Sequence, residues 1–304
     1  MKKIEETKVY QKHLKAVKLV GWNLQFVPEK FRTYELCYLA VKDWAKSFKY
    51  VPEEFKTKAM CELAVTKNGF NLRFVPIKYR TKELCEVAVK NFSYGLGFVP
   101  EKFRSPELCQ IAVSEWGDNL KYVPNHLKSP EICYLAVEDY GQALAWVPEK
   151  LKTLDLCILA VNYVGLALKF VPEKFRSPEL CQIAVKDSGW NLQYVPNHLK
   201  SPELCLIAVG KNGYQLAYVP EDMRTYELCE IAVKNEGWAL EFVPKEFKTK
   251  ELCEIAVKEC LKWIVKYELE NLFEKSIPSE FQEGLAEKYD IELPEKSKGI
   301  LQEI

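Results

Sequence analysis

The sequence predicts an all-α fold, an elongated right-handed solenoid built from ten repeats of 24 residues. Two regularities carry this prediction. The dipeptide Val-Pro occurs ten times at intervals of 24, from Val27-Pro28 to Val243-Pro244. Ten cysteines follow the same interval, namely Cys37, Cys61, Cys85, Cys109, Cys133, Cys157, Cys181, Cys205, Cys229 and Cys253. A single unit of this length cannot bury both of its flanks, so stability has to come from stacking of neighbouring repeats.

Each repeat, counted from its Val as position 1, carries the signals that start a helix. Position 7 is always Ser or Thr, and position 9 is acidic in nine of the ten copies. Four copies place a proline between them, at Pro106, Pro130, Pro178 and Pro202. A hydroxyl N-cap, Pro at the first helical position and a carboxylate in the first turn favour helix initiation. Gly at position 19 in seven copies indicates the helix end, so we predict helices over about 34–44 in repeat 1 and 106–116 in repeat 4.

The remaining positions of the repeat are too few and too rich in proline for a second long helix. We expect one short helix near positions 19–24 and a turn or 3₁₀ segment over positions 2–5. On a helical wheel, positions 10, 11, 13, 14, 15 and 18 form an apolar arc of about 200°. Such an arc predicts a helix sandwiched between the equivalent helices of its neighbours. Positions 8, 9, 12 and 16 should therefore face outward.

The two ends of the chain deviate from the repeat. Residues 1–26 hold an N-terminal half-repeat that acts as a cap, residues 27–266 hold the ten repeats, and residues 267–304 form a C-terminal helical cap and tail. Leu261 replaces the glycine of position 19 in the last repeat, so its helix should continue to about Lys275. A final helix is expected after Ser279, and the tail beyond Pro294 should be irregular.

The core of the repeat is Ala-Val-x-x-x-Gly-x-x-Leu, which repeat 4 spells as Ala112-Val113-Ser114-Glu115-Trp116-Gly117-Asp118-Asn119-Leu120. This pattern resembles the short helical repeats of the family called domain of unknown function 4116, over about residues 10–264. The unit is also similar in length to leucine-rich-variant repeats, which alternate α and 3₁₀ helices. The regular Cys and Val-Pro depart from the looser pattern of the family. The resemblance implies a solenoid and brings no activity with it.

Composition points to a soluble cytoplasmic protein. Lys plus Arg and Asp plus Glu are both 43, so no net field attracts nucleic acid or an anionic membrane. No run approaches 18 apolar residues, and no apolar stretch follows the first lysines as it would in a signal peptide. Eleven cysteines without a signal peptide indicate a reducing compartment. Because ten of them are 24 residues apart, we interpret them as core residues and expect no bound metal.

The sequence predicts no enzymatic activity and no cofactor. His13, His126 and His198 lack a nearby Cys or carboxylate at a fixed helical spacing that would form a ligand set or a catalytic pair. Paired carboxylates recur with the unit, whereas a catalytic pair would be singular. We therefore expect a protein-binding scaffold or inhibitor, with a partner protein as its ligand. The residues leave open whether it serves its own cell or is a phage or parasite product that occludes a host protein.

The first candidate for the partner site is an apolar patch on the outward positions 8 and 12 of repeats 5 to 8. Position 12 is Glu in repeats 2, 3, 9 and 10 but Tyr, Ile and Leu in repeats 5, 6 and 8. Position 8 is Lys in repeats 2, 3 and 10 but Pro or Leu in repeats 5 to 8. The patch comprises Pro130, Tyr134, Leu154, Ile158, Pro178, Pro202 and Leu206. Contiguous exposed apolar residues often mark interfaces. Alternatively, the tail or a cap covers the patch, or its prolines serve only to start the helices.

A second candidate surface is the aromatic position 20, which carries Trp22, Phe70, Tyr94, Trp190, Tyr214 and Trp238. These rings are either anchors that line a groove or packing between repeats.

The rival function is binding of RNA or single-stranded nucleic acid along the basic position 6. The row is Arg32, Lys56, Arg80, Arg104, Lys128, Lys152, Arg176, Lys200, Arg224 and Lys248. Stacked cations could contact successive phosphates while aromatic side chains stack on bases. We favour the interpretation in which each cation pairs with a carboxylate at position 9 or position 3.

Overall fold

The structure is a computed structural model, and it describes residues 7–262 and 269–291. Every regular element in these two ranges is α-helical or 3₁₀-helical. The α-helices are α1 Lys8–Leu19, α2 Tyr34–Asp43, α3 Lys58–Lys67, α4 Lys82–Asn91, α5 Pro106–Glu115, α6 Pro130–Asp139, α7 Leu154–Tyr163, α8 Pro178–Asp187, α9 Pro202–Lys211, α10 Tyr226–Asn235, α11 Lys250–Leu261, α12 Leu269–Ser276 and α13 Ser279–Tyr289. The chain is an all-α repeat solenoid, as predicted.

Each α-helix from α1 to α10 is followed by two 3₁₀ helices. The longer one, helix B, covers positions 19–24 and occurs at Gly21–Phe26, Ala45–Tyr50, Gly69–Phe74, Ser93–Phe98, Gly117–Tyr122, Gly141–Trp146, Gly165–Phe170, Gly189–Tyr194, Gly213–Tyr218 and Gly237–Phe242. The shorter one, helix C, covers positions 3–5 and occurs at Glu29–Phe31, Glu53–Phe55, Ile77–Tyr79, Glu101–Phe103, Asn125–Leu127, Glu149–Leu151, Glu173–Phe175, Asn197–Leu199, Glu221–Met223 and Lys245–Phe247. The expected short helix and 3₁₀ segment are thereby confirmed.

The helix start predicted from position 7 is confirmed in detail. In repeat 4, the hydroxyl of Ser105 accepts a hydrogen bond from the backbone N–H of Leu108 at 3.2 Å. The Ser or Thr at position 7 of the other repeats accepts the same bond, as Thr33 does from Leu36 at 3.3 Å. Pro106 then begins α5, where its missing N–H removes no intrahelical bond.

The core is formed by fewer positions than the helical wheel predicts. Positions 10, 11, 14 and 15 are fully buried in repeat 1, at Leu36, Cys37, Ala40 and Val41. Position 13 is half-buried in most repeats, and position 18 leaves residues such as Trp116 exposed by 45%. The prediction that positions 13 and 18 are core is therefore wrong. The helix packs on its neighbours along a narrower arc, and helix B covers the rest of the inner face.

The chain divides into two compact units, Met1–Lys152 and Thr153–Ile304. In the described part of each unit, successive α-helices pack on each other and on the B helices between them. Unit 1 contains the half-repeat, whose helix α1 carries the core residues Tyr10 and Val17. Unit 2 contains the C-terminal cap, in which α13 packs on α11 and α12 packs on the helix B at Gly237–Phe242.

The C-terminal cap follows the prediction in part. A final helix, α13, begins at Ser279 as expected. The prediction that the last repeat helix continues to Lys275 falls partly on residues 263–268, which lie outside the described residues; α11 ends at Leu261 and α12 begins at Leu269. The tail beyond Pro294 also lies outside them. Gln282 joins the two cap helices, because its Nε2 donates to the carbonyl oxygens of Phe273 and Ile277 at 2.8 and 2.9 Å.

Candidate protein-binding surface

In unit 2, the predicted apolar patch lies on the outward faces of α7, α8 and α9. The side chains of Leu154, Ile158 and Leu206 are exposed by 45, 36 and 48%. Pro178 and Pro202 are also exposed, at the first position of α8 and α9. Leu154 and Ile158 are four residues apart on α7, so they occupy one face of that helix. In unit 1, Pro130 and Tyr134 are exposed on the same positions of α6.

Sequence reasoning missed one member of this surface. Ile183, at position 13 of α8, is exposed by 39%. Position 13 is Leu, Ile or Val in every repeat, which made it look like a core position. Because position 13 is half-exposed in most repeats, an aliphatic side chain lies beside positions 8 and 12 on the outward face. We call the unit 2 surface the stripe, defined by Leu154, Ile158, Pro178, Ile183, Pro202 and Leu206.

Charged pairs replace the apolar residues toward the ends of the array. In unit 1, Lys58 Nζ lies 3.9 Å from Glu62 Oε1. Lys82 Nζ lies 4.0 Å from Glu86 Oε1 in the next repeat. These pairs join positions 8 and 12, the positions that Leu154 and Ile158 occupy in repeat 6. The same two positions of the repeat helix therefore hold a charged pair in α3 and α4 and an apolar pair in α7.

A row of carboxylates accompanies the stripe at position 9. Asp155, Glu179 and Glu203 are exposed in the first turn of α7, α8 and α9. The pKa of Glu179 and of Glu203 is lowered because each carboxylate accepts hydrogen bonds from its own backbone N–H and from the serine hydroxyl at position 7. Both groups are therefore ionised at neutral pH, and the stripe has an anionic border.

One position of the outward face is already in contact with a helix. Glu254, at position 12 of repeat 10, accepts hydrogen bonds from Lys288 Nζ at 2.7 Å and from the Tyr289 hydroxyl at 3.0 Å. Both donors belong to the C-terminal end of α13, which buries Leu285 and Ala286. Together with Lys258, these bonds lower the pKa of Glu254 to about 2. Position 12 can therefore receive a helix that brings cations to a carboxylate.

The basic row at position 6 is turned inward onto the backbone. The arginines at this position donate from Nε to the carbonyl oxygen of position 1 and from Nη1 to that of position 24. For Arg176, the acceptors are Val171 and Tyr194, at 3.0 and 2.8 Å. Arg32, Arg80, Arg104 and Arg224 make the same two bonds. Each guanidinium thereby joins the beginning and the end of its repeat.

The lysines of the row are engaged in related ways. Lys128 and Lys200 donate to the position 24 carbonyl oxygens of Trp146 and Tyr218, at 2.7 and 2.6 Å. Lys56 and Lys152 pair with the position 3 carboxylates of Glu53 and Glu149. Burial lowers the pKa of Lys248.

We expected the cations of position 6 to pair with carboxylates, including those at position 9. This prediction is wrong for the five arginines and for Lys128 and Lys200, which donate to backbone carbonyl oxygens. Five of the position 9 carboxylates accept hydrogen bonds from their own backbone N–H and from the hydroxyl at position 7, namely Glu83, Glu107, Glu131, Glu179 and Glu203. Because these cations are directed inward to the protein backbone, few of them are available to contact the phosphates of a nucleic acid.

The aromatic position 20 is mixed. Trp22 and Trp190 are exposed by 48 and 50%. Phe70, Tyr94, Tyr214 and Trp238 are half-buried. Phe70 packs against the rings of Phe74, Phe92 and Phe98, with centroids 5.4–6.2 Å apart. Phe70 therefore packs between repeats, while Trp22 and Trp190 leave half of their surface free.

The thiols are buried and separate from one another. All eleven cysteines are buried, and none of them forms a disulfide. Burial raises the pKa of most of them, for example to about 11 for Cys109 and about 12 for Cys37. A protonated, inaccessible thiol is a poor nucleophile and a poor metal ligand. Over the two described ranges, no cluster of three or more His, Cys, Asp or Glu side chains could hold a metal ion.

No helix in the described part of the chain combines the length and the apolar character needed to cross a membrane. No curated protein and no solved structure matches the chain. The family model described as domain of unknown function (DUF4116) matches residues 13–56, 153–200, 177–224 and 201–248. The last three matches overlap and begin 24 residues apart, which is the spacing of the repeat seen in the structure. The matched segments, residues 13–56 and 153–248, are therefore repeats of the domain of unknown function 4116 family.

Proposed function

We propose that the chain is a non-catalytic protein-binding scaffold, and that the stripe on α7, α8 and α9 binds a helix of a partner protein. The observation that carries this proposal is the exposure of Leu154, Ile158, Ile183 and Leu206 by 36–48%. Full burial of such a side chain stabilises a contact by about 1.5–3 kcal/mol relative to exposure. Eleven cysteines, none of which forms a disulfide, fit a protein that works in the reducing cytoplasm.

The spacing of the stripe suits a helical ligand. Packed helices lie about 8–10 Å apart, and an α-helix rises about 10 Å in seven residues. A partner helix that crosses α7, α8 and α9 can therefore present one apolar side chain to each of them. The contact of α13 with Glu254 is a precedent on the same outward face. The carboxylates of Asp155, Glu179 and Glu203 favour a partner with Lys or Arg beside its apolar face.

The test compares three purified chains: the natural one, the double variant Ile158→Glu/Leu206→Glu, and the control Leu166→Glu. Leu166 is exposed by 37% in the same unit but lies on helix B, away from the stripe. Each chain captures proteins from lysate of its native cell, with and without nuclease treatment, and retained proteins are quantified by mass spectrometry. We expect one protein to bind the natural chain and the control equally, and to bind the stripe variant at least tenfold less, a factor worth about 1.4 kcal/mol.

Equal capture by all three chains would contradict the stripe as the binding site, provided that the melting temperatures agree. Loss of every captured protein on nuclease treatment would instead support the nucleic-acid alternative. The variant Tyr134→Glu, assayed in the same way, tests separately whether Tyr134 on α6 in unit 1 contributes to binding of the partner protein.

A further inference from the structure

A cavity of about 400 Å³ lies in unit 1, whereas the stripe belongs to unit 2. It opens between two B helices, Ala45–Tyr50 and Gly69–Phe74. Phe70, Phe74 and Phe92 form its apolar walls, and Lys46 and Lys49 lie at its border. Small-molecule sites typically have volumes of about 300–1,000 Å³ and combine apolar walls with a few polar groups. The cavity therefore has the size and the chemistry of a ligand site.

The cavity has a cause in the repeat. Position 20 is aromatic in the next two repeats, where it carries Phe70 and Tyr94, but repeat 1 has Lys46 there. The ring of Phe70 packs against positions 18 and 24 of the following repeat, with centroids 5.4 Å from Phe92 and 6.1 Å from Phe98. The corresponding residues for Lys46 are Asn68 and Phe74, and both line the cavity. The cavity is thus the space of one missing aromatic ring.

The border of the cavity is cationic. Lys46 Nζ lies 5.9 Å from the ring centroid of Trp44, and Lys49 Nζ lies 4.6 Å from that of Tyr50. Within the described part of the chain, neither ammonium group has a carboxylate within ion-pair distance. An adjoining cavity of about 280 Å³ shares Lys46 and adds Lys67 and Asp43. The Asp43 carboxylate accepts the N–H of Gly21 at 2.7 Å, so the one carboxylate that lines this second cavity with Lys46 and Lys67 is already hydrogen-bonded.

Asn71 fixes the backbone beside the cavity. Its Nδ2 donates to the carbonyl oxygens of Ala45 and Ala64, both at 2.9 Å. Its Oδ1 is buried without a hydrogen-bond partner, and so is that of Asn119 and Asn191. The orientation of this amide is therefore a property of the repeat and not of the cavity.

We propose that this cavity binds a small molecule in which a planar aromatic ring is joined to an anionic group. The ring takes the place that the Phe70 ring occupies one repeat later, and the anion pairs with Lys46 and Lys49. Nucleoside monophosphates and indole carboxylates share this chemistry. The site does not depend on the stripe or on its partner.

The test is calorimetric titration with adenosine monophosphate and with indole-3-acetate, each up to about 1 mM, the weak end of specific binding. Adenosine, indole and inorganic phosphate are the matched partial ligands. We expect at least one anionic aromatic molecule to bind tenfold or more tightly than its neutral counterpart and than phosphate. Whichever of the two molecules binds shows whether the natural ligand is a nucleotide or an indole carboxylate. No binding by either anionic molecule would overturn the proposal.

Two variants locate the binding. Lys46→Phe restores the aromatic residue that repeat 2 has at this position, so it should fill the cavity, preserve the fold and abolish binding. Lys46→Ala/Lys49→Ala keeps the space and should weaken binding at least tenfold. Lys169→Ala is the control, because Lys169 has the repeat position of Lys49 but lies in unit 2 beside Leu166. Binding that survives in the folded Lys46→Phe variant would place the ligand elsewhere and overturn the assignment.

Discussion

At the residue scale, the glycine of position 19 owes its place to close approach between repeats. We predicted that this glycine marks the end of the helix, and the repeat helices do end two residues before it, as α5 does before Gly117. No glycine in the described residues has a positive φ, so a left-handed backbone is not the reason for glycine at this position. A Cβ built on Gly213 would lie 2.2 Å from the carbonyl oxygen of Ala232, in the following repeat. Gly117 has the same relation to Ala136. Spacing in the sequence identifies the glycine, but only the packed neighbour shows why it is needed.

The variant Gly213→Ala should therefore destabilise unit 2. The new methyl group would have to displace backbone, and overpacking of this kind costs about 1–3 kcal/mol. Gly210→Ala is the matched control, since Gly210 lies three residues earlier in α9 and a Cβ there meets no atom within 4 Å. Alanine is the better helix former by up to about 1 kcal/mol, so the control should be neutral or stabilising. Urea denaturation of both variants measures the difference; similar midpoints would contradict the role of close approach.

At the element scale, the arginine of position 6 connects helix C with the end of helix B. Arg176→Ala would leave the carbonyl oxygens of Val171 and Tyr194 without their charged donor. Loss of such bonds costs about 1.5–3 kcal/mol. Arg176→Lys should recover part of this stability, since Lys200 makes the equivalent bond to Tyr218 with one ammonium group.

Lys174→Ala is the control for the arginine variants, because Lys174 is exposed two residues away. Thermal unfolding should rank the chains as natural, Lys174→Ala, Arg176→Lys and Arg176→Ala, from the most to the least stable. If Arg176→Ala unfolds like Lys174→Ala, the bonds to the two carbonyl groups do not stabilise the repeat.

Replacing Leu154 and Ile158, the outward pair of α7, by Lys and Glu should not lower the stability of the chain. Leu154→Lys/Ile158→Glu copies the Lys58–Glu62 pair of α3, and an i,i+4 pair of this kind contributes only about 0.3–0.5 kcal/mol. We expect a melting temperature close to that of the natural chain. Leu156→Glu, two residues from either change, should unfold the repeat because Leu156 is 6% exposed. A large loss of stability in the double variant would show that Leu154 and Ile158 are part of the core.

Much of the single repeat could be predicted because its signals are local. The Ser or Thr N-cap, Pro106 at the helix start and the Val-Pro turn act within a few residues, and the structure has the elements where these signals place them. The direction of the position 6 cations was not predictable in this way. Arg32 reaches a carbonyl oxygen 18 residues later, at Tyr50, and no local pattern contains that contact. The cavity beside Lys46 was missed for a similar reason, since its walls come from three repeats.

At the scale of the whole molecule, the buried cysteines make stability depend on pH in the alkaline range. Burial raises the pKa of thiols throughout the array, from an ordinary value of 9.0 to about 11 at Cys85 and Cys229, for example. Above pH 9 the unfolded chain releases these protons while the folded chain retains them. The stability that the protonated buried thiols contribute is therefore fully present below pH 9 and is lost as the pH rises toward 11.

We predict that the urea concentration at the unfolding midpoint decreases as the pH is raised from 8 to 10. Above the pKa of the thiol in the unfolded chain, each buried thiol lowers the free energy of unfolding by up to about 1.4 kcal/mol per pH unit. Burial lowers the pKa of Lys128, Lys200 and Lys248, which opposes the trend, but these groups are fewer than the raised thiols. Cys109→Ala/Cys181→Ala should unfold more easily at pH 8 and yet lose less stability between pH 8 and pH 10. An unchanged slope in this variant would show that the thiols do not cause the alkaline loss.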